Sequence, residues 1–191
     1  MRIIKNEFYD RIRENPVIAA VNNLEKLEKA IQSPCEIIFL LTGSIFNLQE
    51  LVNKAKASNK SVFVHLDLIE GFSRNACALQ YINEIIKPNG IITTKSSLIR
   101  TAKEMGLFSI QRLFMLDALS LESGINSIKN IRPDAVEILP GIMPRVTKTI
   151  GTEVNIPIIT GGLISDKEDV IASIKAGAIG ISTSKEEIWY M

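Results

Sequence analysis

Histidine is almost absent from this chain: His65 is the one histidine among 191 residues. Cysteine is nearly as scarce, with Cys35 and Cys77 far apart and in no metal-ligand spacing. These shortages exclude a zinc ribbon, a two-histidine metal centre and a disulfide framework. They fit free thiols in a reducing compartment. Aromatic residues make up only 6%, so stacking platforms for single-stranded RNA are not evident. Neither sign of charge dominates, and the formal net charge is +1. That balance supplies no global field to announce nucleic acid or an anionic membrane, although it permits a local basic patch. Long apolar runs are missing too. The longest, IIFLL at residues 37–41, has the length of a strand and falls far short of a membrane span. Residues 1–10 lack the apolar stretch of a secretory signal. The reading is a cytoplasmic protein without membrane contact. No H-E-x-x-H, P-loop or C-x-x-C motif occurs, and no G-x-G-x-x-G follows the first apolar run. No metal or nucleotide cofactor is therefore expected.

What is present is one device repeated eight times. Short apolar runs at 17–21, 36–41, 61–68, 90–95, 109–116 and 135–139, with two more inside 156–163 and 177–184, read as strands. Helix-period segments follow at 24–31, 48–57, 76–86, 97–105, 119–130, 145–150, 166–176 and 186–190, with Asn47 as the expected N-cap of the second. Such alternation is the signature of βαβ units around a parallel sheet. Residues 1–191 read as one domain, a compact (β/α)8 barrel of the TIM type with short loops, since barrels usually need about 250 residues. An open doubly wound sheet is the alternative fold, weakened by the missing glycine fingerprint.

The end of the chain carries the sharpest chemical signal. Gly161 and Gly162 close the seventh strand, with Leu163 after them, and Ser182, Thr183 and Ser184 close the eighth. In a barrel these two loops are a common phosphate cradle. Glycines let backbone amides approach an anion because no Cβ intervenes. A tight turn alone would also explain the glycine pair, but two separate loops with suitable chemistry make the signal more specific.

Polar residues inside apolar strands come next. Alternation puts Phe63, His65 and Asp67 on one side of the third strand, facing the barrel, while the apolar Val62 and Val64 face the helices. Lys95 ends strand four, Arg112 lies within strand five, and Glu137 lies within strand six. All five polar residues can meet at the mouth. A carboxylate inside a barrel must be paired or hydrogen-bonded. One reading is an internal network in which Arg112 and Lys95 neutralise Asp67 and Glu137. The other has those carboxylates bind polyol hydroxyls while Lys95 helps hold an anion, and the two are compatible. Lys95 as a Schiff-base nucleophile would make an aldolase-like enzyme, a weak signal because lysines often end strands as solvated charges. The sequence holds no independent catalytic set, so no catalytic residue is assigned.

Several blocks resemble the glycerol uptake operon antiterminator regulatory proteins over nearly the whole chain. They are NPVIAA at 15–20, VHLDLIEG at 64–71, GIITTKS at 90–96, IQRLF at 110–114, Pro133 and Asp134, EILPG at 137–141, PIITGGL at 157–163 and STS at 182–184. The resemblance implies a barrel-fold regulator rather than an enzyme. It implies glycerol 3-phosphate as effector and leader mRNA as partner, and it leaves room for a homo-oligomer. By motif position, Gly161, Gly162, Ser182, Thr183 and Ser184 would hold phosphate. Asp67, Lys95 and Glu137 would line the glycerol end or the mouth. The chain departs from the family pattern at Asn75, where an aspartate is expected, and at Thr160, where alanine is commoner. Arg74, Arg100, Lys103, Arg145 and Lys148 are candidate RNA contacts, each equally explained as an ordinary solvated charge. A phosphosugar or phosphopolyol enzyme using Lys95, Asp67 or Glu137 is the alternative function.

Overall fold

Eight short apolar strands pair in parallel, each with the next, and the eighth closes onto the first. The computed structural model describes residues 2–191, so Met1, within the stretch read for a signal, lies outside the described residues. The strands are β1 (Val17–Val21), β2 (Ile37–Leu40), β3 (Ser61–His65), β4 (Gly90–Thr93), β5 (Phe108–Phe114), β6 (Ala135–Leu139), β7 (Ile158–Gly161) and β8 (Gly180–Thr183). Nearly every strand residue is buried, because a parallel barrel is covered by side chains inside and by helices outside. The closed (β/α)8 barrel expected from the sequence is what forms.

The helices are α1 (Arg2–Glu14), α2 (Leu27–Gln32), α3 (Leu48–Ala57), α4 (Ala76–Tyr81), α5 (Ser96–Glu104), α6 (Ala118–Ile131), α7 (Pro144–Glu153) and α8 (Lys167–Lys175). Helix α1 was not anticipated. It precedes the first strand and has no partner strand of its own. Phe8 and Ile12 are buried among interior residues of the barrel, where Phe8 packs against Phe63 and Phe108 at ring-centroid distances of 5.4 and 4.7 Å. Burying such a side chain stabilises by about 1.5–3 kcal/mol. The helix therefore plugs the end of the barrel where the strands begin and leaves the other end open.

Strand parity and register stack the interior into layers drawn from alternate strands. Ile18, Phe63, Ile110 and Ile159 make an apolar layer. Phe39, Ile92, Glu137 and Ser182 lie above it. Ala20, His65, Arg112 and Gly161 lie above those, toward the C-terminal ends. The interior thus turns from aromatic and aliphatic to charged within three layers. The uppermost also pairs two small residues with two large ones.

Three local expectations need correction. Strand β3 stops at His65, and residues 66–68 form a 3-10 turn. Asp67 therefore follows the strand, and its position is set by the turn rather than by strand parity. Asn47 sits just before α3 but does not cap it: its Oδ1 accepts from the Ser44 amide at 2.7 Å, closing the preceding loop. The helix expected at 76–86 is α-helical only to Tyr81 and continues as a π-turn over Ile82–Ile86. Asn75, the residue that departs from the family pattern, caps α4 by accepting from the Ala78 amide at 3.0 Å. Thr160 is fully buried with its hydroxyl unpartnered.

Candidate functional site

The uppermost layer creates an opening. Ala20 and Gly161 are too small to meet the side chains opposite, and a cavity of about 400 Å3 opens above them. Its lining includes Ala20 and Asn22 from the end of β1, Arg112 from β5, and Glu137 and Leu139 from β6. The loops after β7 and β8 complete it with Gly162 to Ser165 and with Ser182 to Lys185.

At the floor, the Arg112 Nε donates to Glu137 Oε2 at 2.6 Å, and Ser182 Oγ donates to Glu137 Oε1 at 2.5 Å. Glu137 is fully buried and Arg112 nearly so. Such a pair contributes little net stability, because desolvation offsets the attraction, but losing one member strands a buried charge. Gly161 is what admits this pairing. A Cβ there would stand 2.3 Å from Ser182 Oγ and 2.8 Å from Glu137 Oε1. The first glycine of the pair is therefore spent on the network beneath the cavity.

The second glycine shapes the rim. Gly162 has φ +74° and Leu163 φ +62°, two consecutive left-handed residues that turn the chain sharply above the floor. The turn is anchored by the Gly141 amide donating to the Gly162 carbonyl at 3.0 Å. The neighbouring loop is fastened from several sides. Trp189 Nε1 donates to the Thr183 carbonyl at 2.8 Å, Lys26 Nζ to the Ser184 carbonyl at 2.9 Å, and Lys185 Nζ to the Ser165 carbonyl at 2.8 Å. Thr183 Oγ1 accepts from the Lys185 amide at 3.2 Å. The rim is thus a pair of cross-linked loops held before any ligand arrives.

The β3–β4 side of the mouth is built differently. Asp67 accepts from Thr93 Oγ1 at 2.8 Å, from the Thr94 amide at 2.7 Å and from Thr94 Oγ1 at 2.8 Å. Burial pushes its carboxyl up, but these donors outweigh burial and hold it below the usual carboxylate range. Arg74 Nη2 donates to the Asp67 carbonyl at 2.9 Å. His65 is buried, and burial, then the charge of Arg112, lowers its pKa to about 4, so the ring is neutral near pH 7. Lys95 is exposed and outside the cavity lining.

Of the residues singled out from sequence, the cavity brings together Arg112, Glu137, Gly162, Leu163, Ser182, Thr183 and Ser184. Gly161 lies beneath it, and His65, Asp67 and Lys95 do not line it. The internal network forms with Arg112 alone. Asp67 and Lys95 take no part in it. Sequence reasoning missed Asn22, Ser165 and Lys185. Lys185 and Asn22 each stand just past a strand end, which was the available signal. Among the described residues no group of three or more metal-ligating side chains occurs, and no helix is long and apolar enough to cross a membrane.

Fold and cavity together define a (β/α)8 barrel with a polar cavity at its C-terminal mouth and a plugged opposite end. Within that class the assignment is specific. The chain belongs to the glycerol-3-phosphate responsive antiterminator family, whose sequence model matches residues 17–189. It is similar to the Escherichia coli K12 protein YgcP, described as uncharacterized, at 38% identity over 93% of both chains. It also resembles the crystal structure of the glycerol uptake operon antiterminator regulatory protein of Listeria monocytogenes, with a TM-score of 0.89 and 34% identity over 92% of this chain and 95% of that one. A glycerol uptake operon antiterminator-related protein of Thermotoga maritima matches with a TM-score of 0.83 and 30% identity, over 92% of this chain and 98% of that one.

Proposed function

We propose that this chain binds glycerol 3-phosphate and, so loaded, acts on leader mRNA in the cytoplasm to prevent premature termination of glycerol-utilisation transcripts. The family membership supports the effector class. One observation carries the placement: a single cavity joins two small-residue, hydroxyl-bearing loops to a buried arginine–carboxylate pair. The phosphate takes the rim, facing Gly162, Leu163, Ser184 and Lys185, where a glycine turn and an ammonium suit an anion. The glycerol hydroxyls take the floor, where Arg112 offers donors and Glu137 an acceptor. Ser182 reaches the ligand only through Glu137. Asp67 and Lys95 bound the mouth without touching the ligand.

The mechanism is population shift: the effector binds one conformation of the chain more tightly and raises the fraction competent for RNA. The test measures thermal stabilisation by glycerol 3-phosphate, then leader-RNA binding with and without it across a salt series. Stabilisation with effector-dependent RNA binding is the expected result. Neither stabilisation nor RNA binding in any condition would overturn the reading.

A phosphosugar enzyme is the second reading, and Glu137 at the cavity floor is the observation that favours it. Lys95 stands outside the cavity lining, which gives the Schiff-base version no support. Turnover of any triose or pentose phosphate, lost in Glu137→Gln, would establish this second reading.

A further inference from the structure

The C-terminal face carries large apolar side chains that the fold leaves uncovered. Leu116, Leu119 and Leu163 are 82%, 74% and 69% exposed, and Phe114 and Ile142 are each nearly half exposed. They sit on or beside the three successive loops that follow β5, β6 and β7, and these loops are joined. Phe114 pairs in register with Leu139, and the Met115 amide donates to the Leu139 carbonyl at 2.8 Å. Leu139 packs against Gly162, just before Leu163, since a Cβ on that glycine would stand 3.2 Å from Leu139 Cδ2. The five side chains therefore share one face. They present roughly 500 Å2 of apolar surface, the upper range for the largest patch on a monomer. Their exposure is fixed by hydrogen bonds: the Leu116 amide donates to Ser120 Oγ at 2.8 Å, and the Ser120 amide donates to Asp117 Oδ1 at 2.8 Å. Two exposed charges of opposite sign flank the patch, Asp117 at the start of α6 and Arg145 in the first turn of α7. Among the described residues neither forms an ion pair.

We propose that a second copy of this chain docks on this face about a two-fold axis, burying Leu116, Leu119 and Leu163 between the copies. A two-fold interface is self-complementary, each contact occurring twice. The patch meets that condition. Its apolar centre matches itself, and Asp117 of each copy faces Arg145 of the other. Two copies of the patch together bury about 1,000 Å2, the least that a specific interface takes, before any polar rim is added. RNA fits the face poorly: one of the five side chains is aromatic, and Asp117 beside them repels phosphate. Leu163 also lines the cavity, so the second copy borders its mouth. The docking does not depend on which ligand the cavity takes.

The experiment is sedimentation equilibrium of the full chain over a wide concentration range. The wild type should show a monomer–dimer equilibrium. Leu116→Asp should weaken the dimer by about thirtyfold or more, the effect of a charge at the centre of an interface. Its circular dichroism should stay that of the wild type, because the side chain is exposed in the monomer. Asp117→Lys and Arg145→Glu should each weaken the dimer as well, since each sets like charges against each other at both contacts. An equimolar mixture of these two variants should recover it as a heterodimer, in which both contacts again join opposite charges. Arg145→Glu, which leaves the α6 cap intact, serves by itself if Asp117→Lys misfolds. A wild type that is monomeric at every concentration would overturn the proposal, as would a dimer unchanged by Leu116→Asp and Arg145→Glu. A monomeric wild type whose leader-RNA binding is lost in Leu116→Asp would also overturn it and give this face to RNA.

Discussion

The two halves of the barrel mouth use similar residues to opposite ends. On the β5–β8 side, Arg112, Glu137 and Ser182 form a network at the floor of an open cavity, with loose space above Ala20 and Gly161. On the β3–β4 side, Asp67 spends its carboxylate on Thr93 and Thr94, and its carbonyl on Arg74. One half keeps polar groups facing room for a ligand. The other consumes them in holding loops together. A carboxylate near a barrel mouth is therefore no indication of binding by itself. What decides is the size of the residues across the layer.

The sharpest way to break this contrast is Arg112→Met, which strands the buried Glu137. Stability should fall by about 3–5 kcal/mol, read as a lower denaturant midpoint. Acid comes second. His65 is held at about 4 against an ordinary 6.5, so the unfolded chain takes up the proton first as pH falls. The stability this group supplies is whole above pH 6.5 and is lost between about 6.5 and 4, on the order of 3 kcal/mol. Melting curves at pH 7.5, 6 and 5 should show that slope, and His65→Leu should flatten it.

Gly162→Val sharpens the contrast at the rim. A β-branched residue at φ +74°, with its Cβ about 3.2 Å from Leu139 Cδ2, costs about 1–3 kcal/mol. Calorimetry should find glycerol 3-phosphate binding abolished while circular dichroism stays that of a folded barrel. Asp67→Asn acts on the other half. It keeps the side chain's size but weakens three hydrogen bonds to a charged acceptor, for a loss of about 1–2 kcal/mol with ligand affinity unchanged. A large affinity loss there would show that both halves bind. Lys95→Ala should change stability by less than about 0.5 kcal/mol and leave affinity alone.

Most of the fold was legible, because each strand–helix unit carries its own periodicity and needs only its neighbours to express it. Helix α1 was not, since Phe8 and Ile12 look like an ordinary apolar pair until an open barrel end stands beside them. The rim was legible in Gly162 and Ser184, because a glycine and a hydroxyl at two successive strand ends of a barrel face the same mouth. The division of labour between Gly161 and Gly162 was not. Adjacent glycines look alike in sequence, yet one makes room for Ser182 and Glu137 and the other turns a loop. The fate of Asp67 was hidden because the strand period was carried two residues past the point where β3 ends.

The sequence by itself determined the eightfold alternation, the inward placement of His65, and the two strand-end loops that rim the cavity. These follow from period and local chemistry, which act over a few residues. Only the tertiary structure decided which polar groups pair with each other and which face open space. That outcome depends on the closure of β8 onto β1 and on the stagger of the strands, which brings Gly161 opposite His65 and Ser182 level with Glu137. Contacts between residues so distant along the chain follow from the stagger of the closed barrel, and no single segment carries that information.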